Sequence, residues 1–96
     1  MRESLKRYVS RVNTRRFTNN VQKVLFQLLV DADDGEGWVR TRNIRVSSAD
    51  SRIRDLRKPE YGAFRVHCRR ENGQTSYRLT LRELTVTKLR TVFRDS

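Results

Sequence analysis

Residues 38–79, WVRTRNIRVSSADSRIRDLRKPEYGAFRVHCRRENGQTSYRL, decide the fold. Trp38 and Val39 predict a short strand. Thr41 can cap a brief helix through Asn43 to Val46 with Ile44 inward. Ser47 or Ser48 then caps a second helix, and Ser47 with Asp50 three residues on approximates a capping box. This helix runs from Ala49 to Lys58 and stops at Pro59, which cannot donate and disfavours helical geometry before it. At 100° per residue Ala49, Ile53 and Leu56 share one face, while Ser51, Arg54, Asp55 and Lys58 lie opposite, with Arg52 and Arg57 on the flanks. From Phe64 to Arg69 apolar and polar residues alternate, the period of a half-buried strand. Asn72-Gly73 then predicts a type I′ hairpin turn, and Thr75, Tyr77 and Leu79 continue the alternation on the return strand.

Outward from this stretch the pattern is helical on both sides. Val21, Val24, Leu25, Leu28 and Leu29 form a stripe from Asn19 to about Ala32, with Thr18 as its expected N-cap. Asp33-Asp34-Gly35-Glu36-Gly37 breaks that helix in a solvated acidic turn. Leu5, Tyr8, Val9 and Val12 give residues 1–17 the spacing of a basic amphipathic helix that orders against the body or a second subunit. Thr80 and Glu83 make a second capping-box pattern, followed by Leu81, Leu84, Leu89, Val92 and Phe93 at near-helical spacing.

The 96 residues suit one small domain with flanks: a basic arm or helix over 1–17, a body over 18–80 and a C-terminal helix over 81–96. With 35% hydrophobic residues and a mean hydropathy of −0.83, the core must be thin. The net charge of +11 favours a polyanionic partner, nucleic acid ahead of a membrane surface. Most of the cations are arginines, whose planar fork pairs bidentately with phosphate or guanine. The charge is uneven: residues 18–37 are net acidic, whereas residues 38–70 are strongly basic, as expected when one side of a domain meets phosphate. No apolar run suits a membrane span or a secretory signal, and the single cysteine excludes an internal disulfide. A cytoplasmic protein is expected, nucleoid-associated, or in the host cytoplasm if phage-encoded.

The residues RIRDLRK at 52–58, the turn PEYG at 59–62 and the strands in FRVHCRRENGQTSYRL at 64–79 resemble the winged helix-turn-helix superfamily, in the compact form of bacterial and phage regulators. The resemblance covers roughly residues 18–80. It implies an α+β fold: a three-helix core plus a two-stranded β-hairpin wing, with N- and C-terminal flanking helices. It also implies a sequence-specific double-stranded DNA-binding protein, a transcription regulator or phage-type factor, with the helix over 48–58 in the major groove and the wing over 69–74 on backbone or minor groove. By position, Ser48, Ser51, Arg52, Arg54 and Lys58 are then the recognition residues, and Ser47 with Ser48 can present helix amides to a phosphate. Arg69, Arg70, Asn72 and Gln74 form the wing, and Arg40, Thr41 and Arg42 open the shorter helix, which touches backbone. Asp55 departs from the pattern; it either pairs with Arg52 or Lys58 or accepts from a cytosine amine. The apolar C-terminal segment suggests a homodimer through the terminal elements, reading two half-sites.

Other chemistries are poorly served. His67 and Cys68 are adjacent in a strand and point to opposite faces, so a shared metal is disfavoured; His67 is expected at the surface and Cys68 in the core. A calcium loop from Asp31 would need glycine and glutamate where Glu36 and Arg42 stand. Trp38 and Tyr77 are expected in the core rather than as base-stacking platforms. No nucleophile, histidine and carboxylate set and no phosphate loop is present, so neither enzyme activity nor a cofactor is expected. The alternative partner is a protein: the same fold could serve as an interaction module or inhibitor of a host or phage factor.

Overall fold

The computed structural model describes residues 2–32 and 37–94. The acidic turn at Asp33, Asp34, Gly35 and Glu36 therefore lies outside the described residues. Among the described residues four helices, α1 (Glu3–Arg11), α2 (Asn20–Ala32), α3 (Ala49–Leu56) and α4 (Val86–Phe93), accompany an antiparallel sheet of β1 (Val39–Arg40), β2 (Val66–Glu71) and β3 (Gln74–Leu79). The sheet order is β1-β3-β2, so the return strand of the hairpin is central and the short β1 closes its other edge. The fold is α+β, and no described helix is long and apolar enough to cross a membrane.

α2 is the axis of the core. Val24, Leu25, Leu28 and Leu29 are buried along its stripe. Its cap is Asn19 rather than Thr18: the Asn19 carboxamide accepts from the Gln22 amide at 2.9 Å, and Gln22 Oε1 accepts from the Thr18 amide at 2.7 Å. The first bond occupies one of the donors a helix start leaves open, and the second ties the preceding residue back onto the first turn. The same Gln22 donates through Nε2 to the Val92 carbonyl at 2.9 Å, which ties α2 to the end of α4 and satisfies a buried amide.

Four expected helices are shorter in the structure: α1 ends at Arg11, α3 ends at Leu56 rather than Lys58, and the two expected after Thr41 and Thr80 are cut back. After β1 there is only a single 3₁₀ turn, Thr41–Asn43. The Thr41 hydroxyl donates to the Thr75 carbonyl at 3.0 Å instead of capping. Beyond it the chain is extended, because the Gln27 amide replaces helical partners: its Oε1 accepts from the Arg45 amide at 3.0 Å and its Nε2 donates to the Asn43 carbonyl. Ile44 is nevertheless buried, as its spacing predicted. The C-terminal helix starts at Val86, not Leu81, and is capped by Thr85, whose hydroxyl accepts from the Lys88 amide at 3.1 Å. The Thr80/Glu83 box does not form because both side chains are engaged elsewhere. Thr80 Oγ1 meets His67 Nε2 at 2.7 Å, and Glu83 lies 3.3 Å from Arg65.

α1 orders against α4, with Leu5 and Val9 buried and the Arg2 guanidinium donating to the Leu84 carbonyl. Leu5, Leu89, Val92 and Phe93 belong to the same hydrophobic cluster as α2, α3 and the sheet. The apolar surface of the terminal segments is thus consumed within one chain, and the observation that suggested a dimer through them is lost. Among the described residues the exposed large hydrophobic is Val30, at 43%.

Two turns depend on left-handed backbone. Asn72 (φ 52°) and Gly73 (φ 77°) make the expected hairpin turn. Gly62 (φ 99°) follows the 3₁₀ turn Pro59–Tyr61, and a Cβ there would lie 2.9 Å from the Phe64 ring, so glycine is required twice over.

Candidate nucleic-acid interface

α3 is built as its spacing predicted. Ala49, Ile53 and Leu56 are buried, and Arg54 and Lys58 are exposed on the other side. Ser51, Arg52 and Asp55 are half-buried between them. Asp55 stands between two cations one helical turn away on either side: Arg52 Nε is 3.2 Å from its Oδ2 and Lys58 Nζ is 3.2 Å from its Oδ1. It pairs with both, rather than with one or the other. The pairs fix where two long side chains point. Of the three cations Arg52, Arg54 and Lys58, Arg54 alone forms no ion pair among the described residues.

The start of α3 is not the capping box suggested by Ser47 and Asp50. Ser48 sits at the cap in the left-handed region (φ 56°, ψ 43°) and its side chain makes no capping hydrogen bond. Asp50 is engaged across the fold, where its carboxylate accepts from the Tyr77 hydroxyl of β3. At the other end Arg57 donates to the Val66 carbonyl at 2.9 Å. The helix is therefore fastened to the inner face of the sheet at both ends, with Ser47 and Ser48 exposed just before it.

Tyr77 is buried, and its desolvation pushes the phenol up from 10.0 to about 12, helped by the hydrogen bond and charge of Asp50. The unfolded phenol loses its proton near 10 and the folded one near 12. The folded state therefore holds the extra proton, and stability from this group is complete below about pH 10 and lost towards about pH 12. At about 1.4 kcal/mol per unit, the loss should be roughly 1–3 kcal/mol. Urea unfolding across this window should fall more steeply for the wild type than for Tyr77→Phe. Equal slopes would mean that the hydroxyl is not held this way.

The hairpin separates residues that stand next to each other in the chain. Cys68 pairs with Tyr77 and Arg70 with Thr75, which places Arg70 on the α3 side of the sheet. Arg69 pairs with Ser76 and points to the opposite, outer side. Arg70 is exposed and its Nε donates to Thr75 Oγ1 at 3.3 Å. Arg69 instead lies with its guanidinium carbon 4.4 Å from the centre of the Trp38 ring, and its Nε is 3.6 Å from Glu71. Asn72 and Gln74 are exposed at the tip. Arg40, Thr41 and Arg42 come together with Asp50, Gly73, Gln74 and Thr75 around a cleft of about 350 Å³ between the 3₁₀ turn and the hairpin tip.

Two expectations about side chains are corrected. Cys68 is exposed, not in the core. Its strand is the outer one of the hairpin, and of its residues only Val66 is buried, whereas the central β3 buries Ser76, Tyr77 and Leu79. Trp38 is half-exposed on the outer face rather than in the core. A second arginine, Arg78, covers it at 4.6 Å. Arg78, Asp50 and Tyr77 were not singled out as site residues by sequence. Alternation along β3 could have paired Arg78 with Arg69, but the reach of Trp38 to both depends on β1 joining the sheet beside β3. His67 is exposed as expected, and no described group of histidine, cysteine and acidic residues could hold a metal.

No family model matches this chain, and neither the curated proteins nor the solved structures yield a match.

Proposed function

We propose that the chain is a sequence-specific double-stranded DNA-binding protein of the winged helix type, serving as a transcription regulator or phage-type DNA-binding factor. One observation carries this reading. The cationic face of α3 (Arg52, Arg54 and Lys58) and the exposed Arg70 of the hairpin lie on the same side of the sheet, beside the cleft that Thr41 and Arg42 line, whereas Arg40 pairs with Ser76 and faces the outer side. α3 enters a major groove with Arg54 as the leading base reader, and Asp55 steers Arg52 and Lys58. Arg70 and Asn72 meet the flanking backbone or minor groove, while the exposed Ser47 and Ser48 approach a phosphate. Arg69 and Gln74 leave the wing set because of their facing. In this reading the Thr41–Asn43 turn, tied to β3 through Thr41, stands for the second helix of the motif, and α3 packs on α2.

Selection of bound duplexes from a random pool at two salt concentrations tests the reading, since a sequence logo reports base readout. On the selected site Arg54→Ala should cost about 1–3 kcal/mol and relax the preference at one position. Equal losses on selected and random duplex would remove base reading by this side chain.

A second reading has its own observation. Phe17, Phe26, Val30 and Val46, with Lys23 and Arg45, line a groove of about 560 Å³ along α2. A protein-interaction module would use it. Tight capture of a protein with no duplex affinity would favour that role over DNA binding.

A further inference from the structure

The outer face of the sheet is a second basic surface that α3 does not reach. Trp38 lies beside Arg78 across β1 and β3, and Arg69 is on the far strand of the same face. The guanidinium carbons of Arg69 and Arg78 stand 4.4 and 4.6 Å from the indole centre. Ser76 shares this face and is only 7% exposed, so larger side chains cover it. Arg65, one residue before β2, extends the row and is exposed. Its pairing with Glu83 at 3.3 Å, and that of Arg69 with Glu71 at 3.6 Å, temper the charge without cancelling it, since Arg78 has no ion pair among the described residues.

Stacking on an aromatic ring holds a guanidinium plane while leaving its N–H edge free. Two guanidiniums held against one ring suit neighbouring phosphates, which arginine binds bidentately. A chain of net charge +11 makes a phosphodiester backbone the fitting partner. This face and the one that α3 covers are opposite sides of the sheet. We propose that the Trp38, Arg69, Arg78 and Arg65 face holds a second duplex, so that one chain bridges two DNA segments; this rests on the duplex reading of α3.

The test is a recruitment assay. One duplex is immobilised, saturated with protein and then offered a second, labelled duplex. Wild type should recruit the second duplex, and the emission of Trp38, the single tryptophan, should change as it does so. The double variant Arg65→Gln/Arg78→Gln should bind the first duplex as wild type does, which also shows that it folds. It should fail to recruit the second, or do so with a salt slope smaller by about two. Several results would overturn the proposal: no recruitment by wild type with the first duplex bound, undiminished recruitment by the double variant as dimerisation would give, or silent Trp38 emission. If Arg54→Ala leaves the first duplex bound while the double variant loses it, the sheet face is the sole DNA surface, and the α3 reading fails together with the bridging. If no duplex binds at all, both fall.

Discussion

Replacing Phe93 by alanine should destabilise the fold by about 3–5 kcal/mol, the usual cost of deleting a buried aromatic ring. Phe93 is fully buried at the end of α4. It stacks on Phe17 with ring centres 5.6 Å apart and meets Phe26 edge-on at 6.4 Å, while Phe17 and Phe26 meet at 5.7 Å. Three rings from three parts of the chain thus close one corner of the core. The adjoining Val92 carbonyl takes the buried Gln22 amide, so loosening α4 also leaves a donor without its partner. Against a total stability of about 5–15 kcal/mol for a domain of this kind, such a loss is large. Urea unfolding measures it directly. A loss below about 1 kcal/mol would mean that α4 only decorates the body. Its apolar residues would then be free to serve a second chain, restoring the dimer that the C-terminal pattern suggested.

The second large effect is on DNA affinity. If Arg42, Arg52, Lys58 and Arg70 each neutralise a phosphate, binding should weaken about a hundredfold between about 50 and 200 mM salt. The logarithmic slope should be about −3.5, because each phosphate neutralised contributes about −0.9. The Arg52 and Lys58 pairs with Asp55 pull the figure down, since a cation already shared with a carboxylate releases less on binding. Titrations of one duplex across this salt range give the slope. A slope near zero would exclude a phosphate-binding face and favour the groove along α2 as the working surface.

Legibility in the sequence followed the range of the forces involved. The α2 stripe, the inward face of α3 and the hairpin turn at Asn72-Gly73 were all readable, because helical and strand periods and turn geometry act within a few residues. The side of α3 left for a partner follows from the same arithmetic. Capping was misread wherever a polar side chain had a distant competitor. Thr41 bonds to Thr75, Asp50 to Tyr77, and Thr80 to His67. Each residue carries the chemistry of a cap, and which bond it makes depends on what the fold brings beside it.

The interface divides along the same line. Charge and alternation alone put arginines in the hairpin and on α3. Alternation also separates Arg69 from Arg70, but it does not say which side of the hairpin α3 occupies. That was decided when Tyr77 reached Asp50 and Arg57 reached Val66, fastening α3 to one face of the sheet. The exposure of Cys68 and the stacking of Trp38 under two arginines arose in the same way, from strand order. By itself the sequence determined the stripe of α2, the inward face of α3, the hairpin turn and a net charge of +11. Tertiary structure decided which cations stand together, because strands distant in sequence meet only through a register and order that no local pattern encodes.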